Sequence, residues 1–234
     1  MKKLAIMQPY FLPYIGYWQL INAVDEFVVY DNIEFTKKGW INRNRILNGD
    51  GDRLFTIPLK SDSDFLNVDQ RFLSPDSDKE IERTLRIIKS VYKKAPFFEE
   101  AYPVIEECFK YSTKNLFSYI YNSIKLICKY LDIKTQIIIS SEIAVEHSLK
   151  AEKKVITICN ALDADGYVNT AGGQEIYNKK EFADNGIELK FIKPKNISYK
   201  QFDNEYSPWL SIIDVMMFND KETIAAMLEE YELV

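Results

Sequence analysis

Residues Met1 to Val24 constrain this chain more than any other stretch. Leu4–Met7 is a short apolar run of the kind that forms a buried strand. Pro9 and Pro13 follow at once. Each fixes φ and lacks a backbone donor, so the chain must leave the ladder and turn. Beyond the turn, Tyr17, Leu20, Ile21 and Val24 recur at helical spacing, with the helix beginning near Ile15. Strand, tight turn and helix is how an α/β protein opens a ligand site. The first turn of such a helix offers unpaired amides and the positive end of its dipole, which suit a phosphate or carboxylate. The turn also holds Gln8, Tyr10, Phe11 and Tyr14, much polar-tipped aromatic surface for a connection.

Glu26–Tyr30 reads as a second strand, which favours a parallel pair joined by a right-handed crossover. Strands are expected at 3–7, 26–30, 134–140, 166–169 and 187–192, alternating with helices. This is an α/β fold with a Rossmann-like parallel five-stranded core. Residues 35–60 depart from the pattern: TKKGWINRNRIL and RLFTIPLK flank Asn48-Gly49-Asp50-Gly51-Asp52, a hairpin-closing turn. Three helical patterns fill 79–131, the first with Ile81, Leu85, Ile88 and Tyr92 on one stripe. The chain thus reads as a single domain over 1–234, with a hairpin insertion at 35–60, a helical insertion at 79–131 and a helical tail at 195–234. In the tail, Asn219 with Glu222 three residues on reads as a capping box, and Tyr231 is expected to dock with the last helix.

Candidate ligand-binding residues gather where strands end. Gln8 lies between a buried strand and a proline, where a polar side chain serves the fold poorly. Asp31 and Asn32 follow the second strand at its carboxyl end, the edge at which open α/β sheets bind ligands; they are also ordinary turn formers. Asn42 and Arg43 sit in a strand-like run that disfavours Asn. An arginine there holds a diphosphate or carboxylate by forked hydrogen bonds, or simply faces solvent. Trp40 stacks a base or sugar, or plugs the hairpin onto the core. Asn169, Gly172 and Gly173 follow the fourth strand, and paired glycines allow positive φ and close approach of a ligand. One pocket is expected to join Gln8 to Asn169, Gly172 and Gly173, with Tyr14 or Tyr17 donating to an anionic group. Asp214, amid IIDVMM, needs partners if buried. His147, the only histidine, reads as an exposed connector residue.

QPYFLPYIGYWQL resembles the opening signature of the WbqC-like family, bacterial proteins associated with surface-polysaccharide (O-antigen) gene clusters. NRNRI (Asn42–Ile46), NTAGGQEIY (Asn169–Tyr177) and SPWLSIIDVMMF (Ser207–Phe218) recur in the same order, so the resemblance spans nearly the whole chain. It implies transfer of an amino acid or other acyl group onto a nucleotide-linked amino sugar. Tyr14-Ile15-Gly16-Tyr17 also resembles, in spacing, the HxGH box of nucleotidyltransferases, which implies a nucleotide at Tyr14, Gly16 and Tyr17. Both histidines are tyrosines here, and a neutral hydroxyl cannot supply an imidazolium's charge.

A net charge of −5 excludes a nucleic-acid coat. No run approaches a membrane span, and Gln8 ends the first apolar run too soon for a signal peptide. Cys108, Cys128 and Cys159 lie apart in apolar helical patterns, which reads as a reduced, cytoplasmic protein. One histidine and scattered cysteines leave no metal site. The expected partner is a small-molecule nucleotide or nucleotide sugar, with ATP or a nucleotide sugar as the candidate cofactor. Two functional classes fit: a transferase in polysaccharide biosynthesis, and a non-catalytic nucleotide or sugar-nucleotide binding protein, for which the scarcity of acid–base groups argues. No catalytic residue is singled out.

Overall fold

A computed structural model describes residues 1–49 and 51–234, so Asp50 in the expected hairpin turn lies outside the described residues. The opening is as read: β1 (Lys3–Met7), α1 (Ile15–Asn22) and β2 (Glu26–Val29) follow in order, and β1 pairs parallel with β2. Next come the hairpin strands β3 (Arg43–Asn48) and β4 (Gly51–Thr56), which form their own antiparallel pair. Helices α2 (Ser77–Tyr92), α3 (Phe98–Phe109) and α4 (Leu116–Tyr130) lead back to the sheet. There β5 (Gln136–Ile139), α5 (Ala151–Ala161), β6 (Gly166–Thr170), α6 (Lys179–Asp184) and β7 (Glu188–Pro194) continue the α/β alternation. Helices α7 (Ile212–Phe218) and α8 (Lys221–Leu228) and strand β8 (Tyr231–Leu233) complete the chain.

The main sheet has six strands, not five, in the order β5-β2-β1-β6-β7-β8. Five run parallel; β8 pairs antiparallel with β7, Ile192 opposite Leu233. The tail is therefore not wholly helical. Tyr231 starts an edge strand, because α8 ends at Leu228 and the last residues reach the open edge of β7. The cap of α8 also differs from expectation: Asp220, not Asn219, accepts from the Thr223 amide at 2.7 Å, while Asn219 Nδ2 donates to Val215 O at 2.9 Å.

Side chains of the parallel strands alternate between two buried layers, as strand geometry requires. Leu4, Ile6, Val28 and Tyr167 join α5 and α6 through Val155, Ile158, Cys159 and Phe182. Ala5, Phe27, Val29 and Val168 join a larger layer built from α1, the α2–α4 block, α7, α8 and the hairpin. Helices on both faces explain why these strands read as unbroken apolar runs.

The connection from β1 to α1 is irregular and buried, so its carbonyls need donors from elsewhere. Leu12 adopts a left-handed φ of 47°. Its carbonyl accepts from Asn44 Nδ2 at 2.7 Å and from Ser211 Oγ at 2.6 Å. Pro13 O accepts from Trp18 Nε1 at 3.0 Å and from the Ile212 amide at 2.9 Å. The Phe11 amide donates to Ile41 O at 3.0 Å. Asn44, out of place by strand propensity, is thus explained: its carboxamide binds the turn to the hairpin.

A second buried node is Asp214, fully enclosed in α7. It accepts from Tyr92 Oη at 2.8 Å, Tyr199 Oη at 2.7 Å and Gln201 Nε2 at 2.6 Å. Tyr92 Oη in turn accepts from the Leu47 amide at 2.9 Å. One carboxylate therefore ties α7, α2, the tail loop and β3 together through tyrosines and a carboxamide, the partners that its burial requires.

Two expectations follow. Asn44→Ala should cost about 1–3 kcal/mol by leaving a buried carbonyl short of a donor. Ser211→Ala serves the same carbonyl, so urea unfolding of the double variant should show a coupling of at least about 0.5 kcal/mol; strictly additive losses would refute the shared role. Burial also holds the Asp214 carboxyl above the ordinary carboxylate range, against the lowering effect of its three donors. The folded state then keeps a proton that the unfolded chain loses near pH ~3.9. Asp214 should accordingly contribute less to stability as pH rises from about 4 through its folded value. Unfolding of wild type and Asp214→Asn across acid to neutral pH should show the gap between them narrowing as pH rises; a widening gap would reverse the assignment.

Candidate functional site

β1 is followed by β2 on one side of it, while its other neighbour, β6, is followed by β7 on the far side. Connections therefore diverge above the β1/β6 pair, and such a reversal leaves a crevice at the carboxyl edge of a parallel sheet. A cleft of ≈ 550 Å³ lies there, lined among others by Gln8, Tyr10, Tyr30, Glu34, Asn169 and Thr170, together with Gly172 and Gly173. The structure thus brings Gln8, Asn169, Gly172 and Gly173 to one cleft, as the chain's order implied.

The polar groups there are mostly neutral. Tyr10 Oη donates to Gln8 Oε1 at 3.1 Å, and Asn169 Oδ1 accepts from the Thr170 amide at 2.8 Å. That bond leaves the Asn169 amide nitrogen against Gly173. A Cβ on Gly173 would stand 2.4 Å from Asn169 Nδ2 and 3.0 Å from its Cγ, whereas one on Gly172 would meet nothing within 4 Å. Gly173 therefore makes room for Asn169 rather than for a ligand's approach to backbone. Neither glycine has positive φ, contrary to expectation; Ala171–Gly173 is a single 3₁₀ turn, which any residue's φ permits.

The other expected residues lie elsewhere. Tyr17 is buried, and its hydroxyl donates to the Gln8 carbonyl at 2.9 Å, so it holds the turn and faces no ligand. Tyr14 lies on the other side of the turn, edge-on to Trp209 with ring centroids 5.7 Å apart. Its ring packs where a Cβ on Gly16 would be, 2.4 Å from a ring carbon. Asn42 Nδ2 donates to Ile57 O at 2.8 Å across the hairpin base. Arg43 donates through Nε to Gly39 O at 2.7 Å and through a terminal nitrogen to Lys38 O. Its fork is spent on loop carbonyls and does not reach the cleft. Trp40 packs beside two guanidiniums, 5.5 Å from Arg43 and 5.2 Å from Arg45.

Asn32 belongs to a polar cluster at the ends of β2 and β5. Its Nδ2 is 2.9 Å from His147 Nδ1. A carboxamide nitrogen only donates, so Nδ1 accepts and Nε2–H donates to Ile143 O at 3.1 Å, fixing a neutral imidazole. His147 is thus tied down rather than free in a connector. Asn32 Oδ1 accepts from Ser140 Oγ at 3.1 Å and Lys154 Nζ at 3.3 Å. Asp31, buried, accepts from the Ser141 amide at 2.9 Å and from its hydroxyl. Lys154 is itself buried, and desolvation lowers its pKa against the pull of Asp31. Its ammonium sits 5.0 Å from the ring of Tyr30, a wall of the cleft. Two residues were missed from sequence: Lys154, in this cluster against Tyr30, and Glu34, which lines the cleft itself. A signal for Lys154 existed: it precedes Ile158 by four residues and so shares its buried face.

Burial pushes the thiols of Cys128 and Cys159 up to about 12, which keeps them from acting as nucleophiles near neutral pH. Among the described residues no group of three or more His, Cys, Asp or Glu side chains is arranged to hold a metal ion, and no helix is long and apolar enough to cross a membrane.

Sheet and cleft together define an α/β protein with a mostly uncharged, hydrogen-bonding crevice at the carboxyl edge of its parallel strands. A model of the WbqC-like protein family matches residues 8–226, and the chain belongs to that family. It is similar to the uncharacterized protein Rv1507c of Mycobacterium tuberculosis, 28% identical over 221 residues that cover 94% of each chain. No solved structure matches it.

The two glycines should separate cleanly. Gly172→Ala should change stability by no more than about 0.5 kcal/mol. Gly173→Ala must displace the Asn169 amide and should cost about 1–3 kcal/mol. Equal effects in chemical denaturation would show that Asn169 is not held as described.

Proposed function

We propose that the protein is a transferase acting on a nucleotide-linked amino sugar, adding an amino-acid or other acyl group during surface-polysaccharide biosynthesis. The observation that carries this reading is the crevice above β1 and β6, with two carboxamides and several tyrosine hydroxyls on its walls. The five parallel strands follow the order of doubly wound nucleotide-binding sheets, whose ligands occupy that reversal point. Carboxamides and hydroxyls suit the exchange of hydrogen bonds with a base edge, ribose or sugar. A bare triphosphate suits the walls less, because their one carboxylate among the described residues, Glu34, would oppose it. This favours a nucleotide sugar over ATP. In acyl transfer the sugar amine attacks the donor's carbonyl carbon, the bond to the leaving group breaks, and the amine loses a proton. Glu34 is the wall residue assigned to take that proton, while positioning by Gln8 and Asn169 supplies the rest.

A non-catalytic binding protein is favoured by one observation: apart from Glu34 and tyrosines, the walls carry no acid–base group among the described residues. Glu34→Gln distinguishes the two. In a transferase it should keep affinity and lose turnover.

Titration calorimetry with UDP-glucosamine should give measurable binding. Asn169→Ala should weaken it by about 1–3 kcal/mol, roughly tenfold or more, without a matching fall in melting temperature. Absence of heat with any of a panel of UDP-, GDP- and dTDP-linked amino sugars, or an Asn169→Ala variant that binds as wild type does, would overturn the proposal.

A further inference from the structure

A second cavity, of ≈ 360 Å³, opens on the other side of the β1–α1 turn. Its volume falls in the roughly 300–1,000 Å³ range of small-molecule sites. The start of α1, the segment after β7 and the start of the tail helix enclose it, and Gln19, Tyr14, Tyr206 and Trp209 are among its walls.

Three features of these walls point one way. Gln19 is fully buried, and its Nε2 donates to Met227 O at 2.8 Å and Glu230 O at 3.0 Å. Those two carbonyls fix which end of the carboxamide is nitrogen. Gln19 Oε1 is then a buried acceptor with no donor among the described residues, a state that native proteins rarely tolerate without a partner. Next, α1 starts at Ile15 with no side-chain cap, and the Ile15 and Gly16 amides have no acceptor among the described residues, so its first turn presents donors and partial positive charge to the same cavity. Lastly, Trp209 is 68% exposed, stands at a left-handed φ of 61° and meets Tyr14 edge-on at 5.7 Å. A rigid aromatic wall left in water suits the apolar C–H face of a flat ring.

We infer that this cavity is a carbohydrate subsite for an acidic pyranose, its ring against Trp209 and Tyr14, a hydroxyl donating to Gln19 Oε1 and its carboxylate accepting from the amides of Ile15 and Gly16. Each wall group matches one part of that ligand: the orphan acceptor needs a hydroxyl, the helix start needs an anion and the indole needs an apolar face. The subsite is separate from the β1/β6 cleft, and its assignment stands without the nucleotide reading.

Saturation-transfer NMR tests it with methyl α-D-glucuronide and methyl α-D-glucoside on the full chain. Ring protons of the glucuronide should receive saturation at millimolar concentration, several-fold more than those of the glucoside. Trp209→Ala, at an exposed position, should cut the signal at least fivefold while Trp209→Phe retains most of it. The Trp209→Ala protein should still bind whatever nucleotide sugar the wild type binds, and Asn169→Ala should still bind the glucuronide. No glucuronide signal in the wild type, equal signals from the two glycosides, or an unchanged signal in Trp209→Ala would each overturn the subsite.

Discussion

The fold depends on satisfying the backbone of one buried, irregular turn. Between Gln8 and Tyr14 the chain leaves β1 and reaches α1 without regular structure, and two prolines remove amides that might have closed local bonds. Its carbonyls are satisfied instead from two distant parts of the sequence, Asn44 in the hairpin and Ser211 and Ile212 at the start of α7, and from Trp18 and Tyr17 in the adjoining α1. A buried carbonyl without a donor costs about 1–3 kcal/mol. The hairpin and the tail helix are thus fastened to the sheet by that need as well as by apolar contact. The Asp214 node repeats the device one layer out, where a carboxylate collects donors from α2 and the tail loop.

The same turn divides the functional surface. Gln8 and Tyr10 line the cleft above β1 and β6, whereas Tyr14 lines the cavity at the start of α1. Tyr10 and Tyr14 both also line a smaller aromatic groove with Trp40 and Trp209, so the concavities adjoin along the turn. A rigid, over-determined turn suits such a place, because side chains that select a ligand gain from a fixed backbone beneath them.

Much of the architecture was legible because it rests on local pattern. Leu4–Met7, the two prolines and the spacing of Tyr17, Leu20 and Ile21 sufficed for β1, the turn and α1, and the order of strands and helices for the parallel pairing. What escaped rests on distance in sequence. Nothing local in YELV shows that an open edge of β7 awaits it, so Tyr231–Leu233 read as the end of a helix. The meeting of Gln8 with Asn169 and Gly173 was legible because both segments follow strands of one sheet. The roles of Arg43, Asn42 and Tyr17 were not, since propensity marks a residue as out of place without saying whether backbone or ligand claims it. In each case backbone carbonyls claimed it.

Tyr14-Ile15-Gly16-Tyr17 shows how spacing and chemistry part company. In an HxGH box the residues flanking the glycine hold phosphates, and a cationic imidazole suits that task. A tyrosine at the second flanking position is neutral, and burial drives its phenol further from ionising. Its hydroxyl is best used where a carbonyl lacks a donor, and the Gln8 carbonyl is within 2.9 Å. The first tyrosine, lacking such a carbonyl, lies over Gly16 and turns its ring toward Trp209. Glycine keeps its place for a different reason than phosphate access: any Cβ there would strike that ring. The helix start remains open to an anion, and the cavity beside it is lined by aromatic walls, a buried carboxamide and one lysine, Lys195, which is paired with Glu230 at 3.2 Å. In the subsite we propose, the aromatic walls select for a ring face and the carboxamide oxygen for a hydroxyl.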